Sequence, residues 1–202
     1  MGKKRAAKLT TAAEASVGVR EGLLAAEKSL MMLIEDYELK MGQLTHLMDL
    51  VEQLVYQIPG IDGVLKIKGI GLVTVAGFLA EVGDLDRFDH PKQIQKLAGL
   101  NIKENSSGKH KGKTTITKRG RRRLRAVLYR GMMPMVAKNP EFRELHHHYT
   151  TRASNPLKKK QSLILLCCKL IRVIFALMKN QVAYDPQKMM SDIQRPDLSV
   201  AA

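Results

Sequence analysis

Leu65-Lys66-Ile67-Lys68-Gly69-Ile70-Gly71-Leu72-Val73-Thr74-Val75-Ala76-Gly77-Phe78-Leu79 is the stretch on which the fold turns. Two glycines flank one isoleucine between two apolar runs. Glycine permits positive φ and close backbone approach, so Gly69-Ile70-Gly71 predicts a tight turn. The flanks predict a short helix from about Ile61 and a second helix to about Val82, closed by Gly83-Asp84. Ile70 is expected to point inward and lock the two helices. Leu65, Val73, Ala76 and Leu79 are expected to fill the space between them.

Upstream, Pro59-Gly60 breaks a long helix expected from about Arg20 to Gln57. Its apolar residues fall at Leu30, Ile34, Tyr37, Met41, Leu44, Met48, Val51, Val55 and Ile58, in alternating steps of four and three. That is a heptad seam, which predicts one strand of a coiled coil and hence a partner helix, in this chain or a second copy. Ahead of it, Thr11-Ala12-Ala13-Glu14 reads as a capping box opening a short helix that ends at Gly18. Downstream, Asp89-His90-Pro91 caps a helix through Leu97, with Pro91 in its first turn. Asn101 to Gly120 reads as a polar loop or small irregular hairpin, with Thr114 to Thr117 as a candidate strand. Helices are expected from Arg121 to about Ala137, after Asn139-Pro140, and from about Lys158 to Asn180. The tail beyond Tyr184 is expected to fray. The predicted class is all-α: a helical, coiled-coil arm over 1–57, a compact helical domain over 58–183, and a flexible tail over 184–202.

Composition narrows the function. The chain has 202 residues and a formal net charge of +15, with 45% hydrophobic residues but 4% aromatics and no Trp. A core built from Leu, Met, Ile and Val suits helix packing, and the hydrophobic content excludes a disordered basic tail. Strong positive charge points to a polyanion. The basic residues cluster beside polar turns, with no amphipathic face carrying Trp or Phe, so nucleic acid is favoured over a membrane surface. The apolar run Leu163 to Met178 is shorter than the ~20 residues of a spanning helix and contains Lys169 and Arg172. Cys167 and Cys168 are adjacent, without metal-type spacing, and read as core. A reducing cytoplasm is the expected setting.

Three places carry candidate chemistry. At the hairpin, Gly69, Gly71 and Thr74 are candidate backbone-contact positions, because free N–H groups at a helix start face a phosphate well. This pattern resembles the helix-hairpin-helix motif, which grips duplex backbone without reading sequence. A plain tight turn between packed helices is the alternative. From Lys109 to Arg130, the cations Lys109, Lys111, Lys113, Lys118, Arg119, Arg121, Arg122, Arg123, Arg125 and Arg130 occur with no acidic residue between Asn105 and Pro140. Such crowding favours a bound polyanion, against the alternative of a solvated basic face. In Asn105-Ser106-Ser107-Gly108, a serine in an electropositive loop is a candidate nucleophile toward a phosphodiester, although Ser-Gly is also an ordinary turn dipeptide. Asp84, Asp86 and Asp89 read as helix caps. His146, His147 and His148 face different sides of one helix, so neither group is assigned a metal.

In order, Ile67-Lys68-Gly69-Ile70-Gly71, Leu79-Ala80-Glu81-Val82-Gly83-Asp84, Arg87-Phe88, Leu97-Ala98-Gly99-Leu100, Ser107-Gly108 and Thr117-Lys118-Arg119-Gly120 resemble the C-terminal transposase domain of the DEDD insertion-sequence transposases, the bridge-RNA-guided recombinases. The resemblance covers about Ile58 to Met178, and the preceding helix is similar to that family's central coiled coil. It implies a serine nucleophile just before a glycine, which Ser107 matches better than Ser106. It also implies a composite site completed by an N-terminal RuvC-like domain, whose four acidic residues bind magnesium. Duplex DNA, a structured guide RNA and a homo-oligomer joined by the coiled coil are the implied partners, in a bacterial, nucleoid-associated setting. No RuvC-like half is found in this chain, so it is expected to be the C-terminal part of a longer enzyme and inactive in recombination alone. The alternatives are a non-catalytic helix-hairpin-helix DNA-binding module and a dominant-negative fragment.

Overall fold

The structure, a computed structural model, describes residues 2–16, 18, 21–103, 106–107, 110–111 and 115–191. The chain divides into two compact units, Met1–Leu50 and Val51–Ala202.

In the first unit, helix α1 spans Gly2–Glu14 and helix α2 begins at Leu23 and continues to Tyr56. Thr11 does not open a helix. It lies inside α1, where its hydroxyl donates to Ala7 O at 3.0 Å, and Thr10 does the same to Ala6 O at 3.1 Å. A Thr-x-x-Glu pattern in an Ala- and Lys-rich run can sit inside a helix as well as at its start, because Ala and Lys propagate helix readily. On α2, Leu30, Ile34, Tyr37, Met41 and Leu44 are exposed. Asp36 and Lys40 pair one turn apart on the same helix.

The second unit is helical around one buried helix. After the last turns of α2, Gly60 takes φ 79°. The elements are α3 Ile61–Leu65, α4 Leu72–Val82, a 3-10 turn Leu85–Arg87 and α5 Pro91–Leu97. A small two-ladder arm follows, with β1 Ile102–Lys103, β2 Ser106–Ser107, β3 His110–Lys111 and β4 Thr115–Ile116. Then come α6 Arg122–Lys138, α7 Pro140–Thr151, α8 Lys159–Lys179 and α9 Pro186–Met190. The protein is all-α, as expected. The arm pairs β1 with β4 and β2 with β3, both antiparallel.

Helix α8 packs against α3, α5, α6 and α7. Leu163, Leu166, Cys167, Leu170, Ile171, Ile174, Leu177 and Met178 are buried on several of its sides. It runs 21 residues, longer than its apolar run suggests, and is long and apolar enough by composition to cross a membrane. Here those side chains fill the core. Val55 at the end of α2 joins this core, with Val51 and Ile58 packed against it.

Two details correct the sequence reading. Val73 is 68% exposed, whereas Val75 and Phe78 are fully buried. Val73 thus falls outside the filling set, whereas Leu65, Ala76 and Leu79 pack against the core as expected. The region beyond Tyr184 does not fray at once: α9 is capped by Asp185, whose carboxylate accepts from Gln187 N at 2.9 Å, and Met189 is buried.

Candidate nucleic-acid interface

Helices α4 and α6 run antiparallel in very close contact, and small residues make this possible. A Cβ on Gly77 would meet Val127 Cγ1 at 3.1 Å, and one on Gly131 would approach Thr74 Oγ1 to 2.9 Å. At the far end, Arg121 donates to Glu81 O, and its guanidinium lies 3.9 Å from the Glu81 carboxylate. The order Thr74–Gly131, Gly77–Val127, Glu81–Arg121 fixes the direction of the pair.

The consequence concerns the two candidate sites. The Gly69-Ile70-Gly71 turn sits at the C-terminal end of α6. The basic arm sits at its N-terminal end. About 16 Å of helix, the 11 residues of α4, separates them. They occupy opposite ends of one helix pair.

At the turn, Ile70 is buried as expected. Gly69 has φ 97°, and a Cβ there would meet Met135 Cα at 3.1 Å and Pro134 O at 3.2 Å. Gly69 therefore faces α6. Asn139, itself buried, clamps the turn: its Nδ2 donates to Lys68 O at 3.0 Å while its Oδ1 accepts from Phe142 N at 3.0 Å to cap α7. Thr74 likewise meets Gly131. Of the three candidate positions at the turn, Gly71 alone has open space around it. It is extended at φ −115° and caps α4, accepting from Thr74 N at 2.9 Å and Val75 N at 3.1 Å.

The arm is held at its base by backbone hydrogen bonds, joined by Thr117 Oγ1 donating to Gly99 O at 3.3 Å. Thr117 N donates to Asn101 O at 2.8 Å, Lys118 N to Gly99 O at 3.0 Å, and Arg121 N to Leu97 O at 2.7 Å. Gly99 (φ 68°) and Gly120 (φ 143°) pass each other with no room for a side chain: a Cβ at 99 would meet Arg119 O at 2.7 Å, and one at 120 would meet Gly99 N at 2.8 Å. The Leu-Ala-Gly-Leu and Lys-Arg-Gly patterns were the available signal of this crossing.

The basic run splits into two groups. Arg121 is engaged with Glu81, and Arg125 donates to Ala98 O at 2.8 Å and Lys118 O at 3.4 Å. Lys118, Arg119, Arg122 and Arg123 are exposed, with no ion pair among the described residues. Lys109 and Lys113 lie outside the described residues. Lys111 and Ser107 belong to the second ladder, where Ser107 pairs with His110 and Ser106 with Lys111.

Of the three aspartates read as helix caps, the side chain of Asp84 caps, whereas α5 is capped by His90 and not by Asp89. Asp84 accepts from Asp86 N at 2.9 Å, and Asp89 N donates to Gln93 Oε1 at 2.9 Å. His90 caps α5, accepting from Lys92 N at 3.1 Å. Burial pushes the Cys168 thiol up to about 11, and Cys167 is raised further by burial and by its neighbour. Neither is a reactive thiolate near neutral pH. Among the described residues, no three His, Cys, Asp or Glu side chains gather as a metal site.

Residues 61–147 match the sequence model of the Transposase IS116/IS110/IS902 family. The matched segment starts with α3, contains the tight turn, the arm and α6, and ends within α7. The chain is 37% identical over 62 residues to "Putative transposase y4qE" of Sinorhizobium fredii, covering 31% of this chain and 16% of that protein. It is 35% identical over 68 residues to the "Transposase for insertion sequence element IS1111A" of Coxiella burnetii, covering 34% of this chain and 19% of that protein. The chain thus spans less than a fifth of the length of these curated relatives.

Proposed function

We propose that this chain is the DNA-handling C-terminal part of an insertion-sequence transposase, supplying Ser107 as the nucleophile for strand exchange. The family match over 61–147 carries the reading, because that segment holds the arm with both serines and all four exposed cations at its base. In the proposed step, Ser107 Oγ forms a bond to a backbone phosphorus and loses its proton to a base. One P–O bond to the departing strand breaks, and that sugar oxygen takes up a proton. Lys118, Arg119, Arg122 and Arg123 hold the phosphodiester by charge, which counts for more once water is excluded. A serine hydroxyl needs activation near neutral pH. In this reading the activation comes from the acidic, magnesium-binding RuvC-like domain that the resemblance implies. Guide RNA and self-association through α2 belong to the same proposal.

The exposed, unpaired cations Lys118, Arg119, Arg122 and Arg123 also suit a second reading, a module that only binds DNA. Both readings share one test. If about six to ten phosphates are contacted, log affinity for duplex DNA should fall with log salt at a slope of roughly −5 to −9. A slope near zero overturns both.

A further inference from the structure

Two long helices of the second unit begin in the same unusual way. Helix α6 starts Arg121-Arg122-Arg123 and α8 starts Lys158-Lys159-Lys160, in each case at the N-cap and the first two helical positions. Neither first turn holds an acidic residue. Cations are disfavoured there, because the helix dipole places positive charge at that end. At α6, Arg121 is relieved by Glu81. The three lysines of α8 have no ion pair among the described residues and are exposed. No Asp or Glu occurs from Leu145 to Tyr184.

A series of contacts leads from the start of α6, through the end of α5, to the N-terminal half of α8. Lys179, at the end of α8, donates to Phe88 O just ahead of α5, and Gln95 near the end of α5 donates to Cys168 O at 3.1 Å. Helix α5 therefore runs against α8 and points toward its first half. The residues that end α5 receive α6: Leu97 O accepts from Arg121 N at 2.7 Å, and Ala98 O from Arg125 at 2.8 Å. Helix α7 reaches the same half of α8, since His146 Nδ1 lies 2.9 Å from Ser162 Oγ in its first turn. Burial lowers the His146 pKa from its ordinary value, with Lys159 and His147 adding to the shift.

We propose that Lys158, Lys159 and Lys160 form a second phosphate-contacting surface that continues the basic base of the arm, so that duplex DNA crosses the side of the unit where α6 and α8 begin. This rests on the reading of the chain as a DNA binder. An acidic membrane surface is the poorer partner, because no large hydrophobic residue between Glu144 and Gln161 is strongly exposed to enter a bilayer beside the lysines.

The test is duplex DNA titration with the full chain at several salt concentrations, comparing the parent with K158Q/K159Q/K160Q, K158R/K159R/K160R and R122Q/R123Q. Each lost phosphate contact removes about 0.9 from the slope of log affinity against log salt. The triple glutamine variant should therefore lose about 2 to 3, and the triple arginine variant should keep the parent slope. Unchanged helix content by circular dichroism certifies folding. If R122Q/R123Q lowers the slope but the triple glutamine variant does not, the second surface is wrong and the function stands. If the parent itself has no salt dependence, the function fails instead.

Discussion

Thr74 of α4 lies directly against Gly131 of α6, with its Oγ1 2.9 Å from where a Cβ on Gly131 would stand. Threonine is stiff about χ1, so it cannot swing clear. This contact lets the two helices approach closely. Gly131→Ala should therefore destabilise the protein by about 1–3 kcal/mol through overpacking, even though alanine is the better helix former. Adding Thr74→Ala should recover much of the loss. Thermal unfolding of the two single variants and the double variant reads this coupling. Strict additivity would mean the helices are further apart than described.

The crossing at the arm base is tighter still. Gly120 has φ 143° and would drive a Cβ against backbone atoms, which cannot be relieved by a rotamer change. Gly120→Ala should lower stability by about 3 kcal/mol, combining backbone strain and overlap. It should also weaken DNA binding more than its loss of stability explains, because Lys118 and Arg119 sit on the displaced backbone. Binding measured well below the melting temperature separates the two effects. An unaltered melting temperature would show that the crossing is not closed.

The division of the basic run makes opposite forecasts for neighbouring arginines. Arg125 is half-buried and bonds two carbonyls, so Arg125→Ala should lower stability by about 2 kcal/mol. Arg122 and Arg123 are exposed, so their glutamine variants should change stability by no more than about 0.5 kcal/mol. In DNA titrations, R122Q/R123Q together should reduce the salt slope by about 2. Equal effects of all three on stability would sink the division.

On α2, the seam from Leu30 to Leu44 is exposed while its continuation at Val51 and Val55 is packed. An uncovered stripe of this length favours a partner helix. Sedimentation at micromolar concentration should show self-association, and L44K/M48K should abolish it. A parent chain that stays monomeric at high micromolar concentration would end the coiled-coil reading.

Local chemistry was legible in the sequence, and long-range direction was not. Gly69, Gly83, His90-Pro91 and Asn139-Pro140 mark element ends, because turn and cap preferences act within a few residues. The same local pattern misplaced Thr11, since a capping sequence and a helix interior share it. Val73 and Val75 are alike in apolarity, and only the tertiary packing of the core chooses between them. Arg121 and Arg125 looked like their neighbours because their partners, Glu81 O and Ala98 O, are 40 and 27 residues away. The wide separation of the turn from the arm follows from the antiparallel α4–α6 pair, which no local window contains.

The arm supplies the sharpest test of chemistry. Ser106 and Ser107 are consecutive strand positions. Ser107 pairs with His110 and Ser106 with Lys111, so the two serines have different neighbours across the ladder. This chain alone should not cleave DNA, even with magnesium, because a hydroxyl without an activating partner is a weak nucleophile. Supplied with a complementary RuvC-like domain and guide RNA, it should form a covalent protein–DNA adduct at Ser107. Denaturing gels with labelled DNA, followed by peptide mapping, would locate it. The adduct should vanish in Ser107→Ala and persist in Ser106→Ala. The reverse pattern would move the nucleophile to Ser106. Recombination that survives loss of both serines would end the covalent mechanism and leave the domain a DNA-binding module.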